Sequence, residues 1–191
     1  MNIRQATKQD SKQIAPLMYQ AIHEIAYTLT ASKNTSEVLE GLAGWVEHPK
    51  NRLSHKNIWV ADVEGEVAGI IISYRGDEAE ELDRPIREWL KARGSEEELD
   101  VETEGHVQYI DSLAVAEAFG GQGIGTKLIE HICTVAEEHR VPAVTLNVDQ
   151  ENVAAHRLYT RLGFQKEKEI NISGAKFDYM KKEINSPPFS V

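Results

Sequence analysis

Four glycines, Gly120, Gly121, Gly123 and Gly125, fall within six residues, between an apolar run at 107–115 and an amphipathic stretch that starts near Gly125. Glycine tolerates left-handed and tight backbone conformations and lets a ligand approach the main chain closely. The first N–H groups of a helix have no acceptor inside it and lie at the positive end of its dipole. A turn built this way favours a phosphate or pyrophosphate. Gly120 and Gly125 match the spacing of the P-loop pattern GxxxxGK[ST], but Thr126 and Lys127 follow in reversed order, so the lysine would leave at the wrong point. Gly121 and Gly123 begin the dinucleotide pattern GxGxxG, with Thr126 in place of the third glycine. A strand that ends in Asp149 keeps this alternative open. A solvent-exposed loop and helix cap is the plain alternative.

Further along, Asn152, Ala155, Leu158, Tyr159, Gly163 and Phe164 form the pattern NxxAxxLYxxxGF. With the glycine turn at this distance, it resembles the GCN5-related N-acetyltransferase (GNAT) superfamily. The family turn is [RQ]xxGx[GA], and here it reads Gly120-Gly121-Gln122-Gly123-Ile124-Gly125. Gly123 and Gly125 fit. Gly120 stands where the family usually carries Arg or Gln, which removes one side-chain contact to a pyrophosphate and leaves the backbone donors. The resemblance implies that acetyl-CoA is held by Gly120, Gly121, Gln122, Gly123, Ile124, Gly125 and Thr126, together with Asn152, Ala155 and Tyr159. It implies a pantetheine arm paired with the main chain of Leu113, Ala114 and Val115 like an added strand. Tyr159 resembles the family's general acid, which protonates the leaving thiolate; core packing with a satisfied hydroxyl is the other reading. Asn152 caps its helix, and in the family the same position also contacts coenzyme A.

Acetyl transfer to an amine has definite chemical needs. A lysine-type amine, with a reference pKa of about 10.4, must lose a proton before it attacks. A base or a water chain takes that proton, and a fixed donor meets the oxyanion. Some relatives carry a glutamate on the fifth strand at the position of Asn147. Asn147 cannot take a proton, but it can position a water. Asp111, which interrupts the apolar run VQYIDSLAV, and His106 are the alternatives on the fourth strand. The expected reaction is direct attack by a primary amine on acetyl-CoA through a tetrahedral intermediate, without a covalent enzyme intermediate. Two rival functions remain: an acyl-CoA-binding module without catalysis, suggested by Gly120 and Asn147, and a dinucleotide-binding domain. The acceptor class is not set by the motif, because acceptor choice lives in variable loops. His23-Glu24 begins a zincin-like HExxH, but Tyr27 takes the second histidine position, and the seven histidines show no ligand spacing, so no metal is expected.

The net charge of −10 argues against binding to nucleic acid or to an anionic membrane. No apolar run approaches the length of a membrane span, and MNIRQATKQD contains no signal-peptide core. Cys133 is the sole cysteine, which suits a reducing cytoplasmic setting and excludes an internal disulfide. The resemblance adds a homodimer as a candidate assembly. The 191 residues suit one domain, taken as 1–184, with a loose tail at 185–191 after the last strand.

The elements that must position these residues follow from periodicity and breakers. A strand at 2–6 leads into a helix capped by Thr7 or Asp10, with Ile14, Leu17, Met18, Ala21, Ile22 and Ile25 on one face. A helix around 36–48 is expected, capped by Ser36 and stopped by Pro49. IWVADV and VAGIIISY form a hairpin across Glu64-Gly65. Residues 77–104 then hold twelve acidic and four basic residues, a net of −8, and part of this segment (80–93) has a helical stripe ending at Gly94. Against a minimal GNAT this is an insertion, expected either as a solvated acidic flap or as a lid that selects a cationic amine. The alternation of strand and helix after residue 107 predicts an α/β layer fold. The resemblance makes it a mixed, mostly antiparallel GNAT sheet flanked by helices and splayed between the fourth and fifth strands.

Overall fold

Strands β1 (Asn2–Gln5), β2 (Ile58–Val63), β3 (Glu66–Arg75), β4 (Gln108–Val115), β5 (Ala143–Asp149), β6 (Gln165–Ile172) and β7 (Ala175–Glu183) form one sheet in the order β1-β2-β3-β4-β5-β7-β6. The structure is a computed structural model that describes residues 1–96 and 99–184; the tail expected at 185–191 lies outside the described residues. Every neighbouring pair is antiparallel except β4 and β5. A dinucleotide-binding domain needs a doubly wound, mostly parallel sheet, so this topology overturns that alternative. The β4–β5 pairing covers only Gln108–Ile110 against Val144–Leu146. Beyond it, β4 stays paired with β3 as far as Val115, and β5 with β7 as far as Asp149. The two strands therefore part company, which is the expected splay.

Period-2 alternation divides the core between the two faces. Ile70 and Ile72 of β3 enter one apolar cluster, with α1 (Ser11–Ile22), α2 (Ile25–Thr30), α3 (Thr35–Glu47) and α4 (Ala79–Ala92). Ile71 enters the other, with α5 (Ile124–Glu138) and α6 (Val153–Arg161). On β4 the alternation slips. Tyr109 and Ala114 lie five residues apart, yet both belong to the first cluster. The reason is a bulge: Ile72 pairs with Ser112 and Ser73 with Ile110, so Asp111 is the extra residue with no partner on β3.

Three local expectations are corrected. The first helix does not run on to Ile25: it ends at Ile22, His23 takes φ +43°, and Ile25 starts a separate short helix. The cap of α3 is Asn34 and not Ser36. Asn34 is extended, and its Oδ1 accepts the Glu37 N–H at 3.0 Å, so the helix begins two residues earlier, at Thr35. The acidic segment is not a wholly solvated flap. Ile86 and Leu90 of α4 are buried in the first cluster, and Trp89 packs edge-on against Trp45 with ring centroids 5.4 Å apart.

Candidate active site

The parting of β4 and β5 opens a pocket of about 510 Å³. Asp111, Ser112 and Leu113 line it from β4, Asn147 and Asp149 from β5, and Asn152, Ala155 and Tyr159 from α6 and its cap. A helix follows each of these strands, and the start of α6, with Asn152 and Ala155, lines the opening.

The glycine turn comes first. Gly121 and Gly123 have φ of +74° and +75°, the left-handed region that side chains rarely adopt, and Gly123 is the N-cap of α5. The first helical hydrogen bond within α5 runs from Lys127 N–H to the Gly123 carbonyl at 3.1 Å. The N–H groups of Ile124, Gly125 and Thr126 precede it and have no acceptor among the described residues. A Cβ on Gly125 would touch Leu113 and Val115 at 3.7 and 3.8 Å, so the helix start is seated closely on the end of β4. Gly120 is different: its φ of −59° suits any residue.

Asn152 caps α6, its Oδ1 accepting the Ala155 N–H at 3.0 Å. Asn152→Ala is expected to destabilise the protein by about 1 kcal/mol, read as a lower urea midpoint, because that N–H loses its acceptor. One turn after Ala155, Tyr159 faces the pocket. It is 9% exposed and its ring packs edge-on against Phe164. Among the described residues, nothing hydrogen-bonds its hydroxyl. Burial pushes its pKa up to about 12, so it keeps its proton at neutral pH.

The other end of the pocket is a buried charge cluster. Arg52, in the loop after α3, donates from Nη1 to Glu102 Oε1 at 2.9 Å and lies 3.7 Å from Asp111 Oδ1 and 3.5 Å from Asp83 Oδ1. Burial disfavours the Arg52 cation, but Glu102 and Asp111 outweigh it and hold the pKa well above the ordinary value. The Tyr74 hydroxyl donates to Asp111 Oδ1 at 2.9 Å and the Tyr109 hydroxyl to Glu102 Oε2 at 2.8 Å. Burial raises both phenol pKa values, which keeps them as donors. Asn147 Nδ2 donates to the Glu102 carbonyl at 2.9 Å and to the Tyr109 hydroxyl at 3.0 Å, while Asn147 Oδ1 has no donor. The Asp111 side chain is 4% exposed. Burial pushes its pKa up to about 6, with Arg52 pulling the other way.

The structure thus brings together Leu113, Asn147, Asn152, Ala155, Tyr159 and Asp111 on one pocket. His106 stands elsewhere: half-exposed, it contacts Arg75 at 2.8 Å and Asp77 at 3.6 Å, away from the pocket lining. Sequence reasoning missed Arg52 and Glu102. Glu102 sits in an acidic run where nothing marks it out, and Arg52 has no motif; only the unexplained polar Asp111 in an apolar strand pointed here. Among the described residues, no group of three or more His, Cys, Asp or Glu side chains is placed to hold a metal ion, and no helix is long and apolar enough to cross a membrane.

Comparisons with known proteins bear on the family and the fold. The model of the family described as "Acetyltransferase (GNAT) family" matches residues 19–164. A spermine/spermidine N(1)-acetyltransferase of Bacillus subtilis is 30% identical over 88 residues, 46% of this chain. The match spans 57% of that protein, so the chain covers little more than half of this curated relative. The crystal structure of an acetyltransferase superposes with a TM-score of 0.78 at 32% identity, over 97% of this chain and 100% of the other. That of an N-acetyltransferase from Staphylococcus aureus Mu50 superposes with a TM-score of 0.80 at 27% identity, over 95% and 100%.

Proposed function

We propose, from the premise that this chain belongs to the acetyltransferase (GNAT) family, that it moves the acetyl group of acetyl-CoA to the nitrogen of a cationic primary amine. The observation that carries this reading is the open wedge between β4 and β5, which the Asp111 cluster lines, with the start of α5 seated behind its wall residue Leu113. The pyrophosphate of acetyl-CoA meets Gly120, Gly121, Gln122, Gly123, Ile124, Gly125 and Thr126. The pantetheine arm lies along Leu113, Ala114 and Val115, where β4 has lost its β5 neighbour. Ala155 leaves room for that arm beside Asn152.

The amine enters from the cluster side. Three carboxylates, Asp83, Glu102 and Asp111, surround Arg52, with Arg87 reaching Asp83 alone, and this excess of negative charge favours a positively charged acceptor. The likeness to a spermine/spermidine acetyltransferase points the same way. Asp111 takes the proton that the ammonium must lose, since a carboxyl with a pKa of about 6 is ionised at neutral pH yet basic enough to accept one. The neutral nitrogen attacks the thioester carbon, the carbon–sulfur bond breaks, and Tyr159 gives its proton to the departing sulfur. Asn147 holds the main chain at Glu102 beside Tyr109, and its Oδ1, without a donor, is the acceptor left to position a water. Residues 1–184 act as one domain in this scheme.

Calorimetric titration with acetyl-CoA, followed by turnover assays with mono-, di- and polyamines, tests the reading. Acetylated amine with release of free thiol is expected. Binding of acetyl-CoA without turnover of any amine would leave only an acyl-CoA-binding module. Gly120→Arg restores the family's usual side-chain type. Its Cβ would lie 3.2 Å from the Glu117 carbonyl oxygen, a contact relieved by a shift of a few tenths of an ångström. The dissociation constant for acetyl-CoA is expected to fall about three-fold, the worth of one exposed ion pair.

A further inference from the structure

A smaller cavity, of about 250 Å³, adjoins the wedge. The two linings share Ile25, Arg52, Glu102 and Ile172, so the cavities meet beside the Asp111 cluster, where Arg52 stands 3.7 Å from Asp111. Three separate parts of the chain frame the smaller cavity. They are α2 (Ile25, Thr28), the stretch leading from α4 to β4 (Leu99, Asp100) and the turn between β6 and β7 (Ile172, Ser173). Asp100 and Ser173 are exposed, while Ile25, Thr28 and Leu99 are half-buried. The cavity therefore leads from solvent inward to the cluster, and no residue of α5 or α6 lines it.

The frame is pinned on every side. Asp100 Oδ2 accepts the Ser173 N–H at 2.7 Å, which ties the acidic segment to the hairpin turn. Two residues on, the Glu102 carbonyl accepts from Asn147, and the Glu102 carboxylate accepts from Arg52 and Tyr109. Toward α2, Leu99 and Ile25 both pack against the first apolar cluster. The segment thus crosses from α2 to the hairpin with an anchor at each side, and it sets the width of the opening. Ile25, Leu99 and Ile172 give the cavity apolar walls. Its volume lies below the roughly 300 Å³ at which sites for whole small molecules usually begin. That space suits a slim aliphatic chain better than a peptide or a bulky ring.

The acetyl-transfer reading, on which this inference rests, places acetyl-CoA beside Leu113, Asn152 and Ala155. An amine whose nitrogen stands at Asp111 must then send its substituent away from the thioester, and the smaller cavity opens beside the cluster on the side free of α5 and α6. We propose that this cavity is the channel for the acceptor's arm, and that Leu99 and Thr28 select an amine carried on an unbranched aliphatic chain. Asp100 acts as a positioning residue that holds Leu99 in the wall through its bond to the hairpin turn.

The test is steady-state kinetics of the full chain with ethyl-, butyl- and hexylamine, and with cyclohexylamine, which has the carbon count of hexylamine in a wider shape. For wild type, kcat/KM is expected to rise about four-fold per added methylene, the worth of burying one CH2 group. Hexylamine is expected to exceed cyclohexylamine by about ten-fold, the worth of a shape mismatch in an apolar pocket. Leu99→Ala removes one apolar wall and is expected to flatten the gradient to about two-fold per methylene. Thr28→Phe fills the channel from α2 and is expected to lower hexylamine relative to ethylamine by about ten-fold, the cost of overpacking. It decides the matter if Leu99→Ala fails to fold. A loss of stability alone would scale all amines together and leave these ratios unmoved. A flat gradient in wild type, or equal use of the two six-carbon amines, would overturn the channel and leave acetyl transfer standing. Wild-type ratios in a folded variant would do the same. No turnover of any amine would remove the acetyl-transfer reading, and the channel with it.

Discussion

Tyr159→Phe is expected to lower the maximal rate of acetyl transfer about a hundred-fold, the lower end of the range for general acid catalysis. The Michaelis constant for acetyl-CoA should change by less than about two-fold, because one hydroxyl that acts only as charge builds on sulfur contributes little to ground-state binding. Stability should hold as well. The ring packs against Phe164 through its edge, which phenylalanine retains, and the hydroxyl makes no hydrogen bond whose loss would count. Steady-state kinetics and a melting curve therefore separate the two readings of this residue. A core tyrosine would move neither the rate nor the Michaelis constant. With the phenol pKa at about 12, no alkaline fall in rate below about pH 10 should be assignable to it. An unchanged rate in the variant, with chemistry rate-limiting, removes Tyr159 from the acid role.

Asp111→Asn is expected to reduce kcat/KM for the amine by about two orders of magnitude and to erase a limb of the pH–rate profile. The sign follows from the role. A base works deprotonated, so the wild-type rate should rise as pH passes upward through about 6 and level off above it. Arg52, the Tyr74 hydroxyl and the Ser112 hydroxyl face the Asp111 carboxyl directly, with Glu102 and Asp83 behind Arg52. The variant leaves Arg52 paired with Glu102, so the cluster keeps its main ion pair. If the acid limb persists in Asp111→Asn, the proton goes elsewhere. The same shift bears on stability with the opposite slope. The folded pKa of about 6 lies above the ordinary aspartate value of about 3.9. The folded state therefore holds this proton more tightly, and the contribution of Asp111 is favourable below about pH 4 and lost as pH rises through about 6. At working pH the residue is held where it opposes folding, a common trade at active sites.

Much of this protein was determined locally and could be seen in the chain. The left-handed Gly121 and Gly123, the Asn152 cap, the Glu64-Gly65 hairpin turn and the helical stripe of α5 each depend on a few neighbouring residues, so their signals survive in one dimension. The motif around Tyr159 belongs to the same class, since its members share one short helix and its flanks. Caps shifted where another polar residue stood nearby, as Asn34 did for Ser36, because both can accept the same kind of N–H.

The tertiary structure alone decided what lines the wedge between β4 and β5. Asp111 is aimed by a bulge that adds one residue to β4, and a bulge is a property of the pairing with β3 and not of either strand's alternation. Arg52 meets Glu102 across fifty positions of sequence, and Asn147 meets it across forty-five. Nothing local distinguishes Glu102 and Asp83 from the other carboxylates of the acidic segment. Burial does. Once α4 is held down by Ile86, Leu90 and Trp89, those two side chains are taken out of water, and a buried carboxylate must find a cation or a donor. Charge pattern along a chain is a statement about composition, whereas the energy of a charge depends on depth and distance, and only the folded arrangement supplies those.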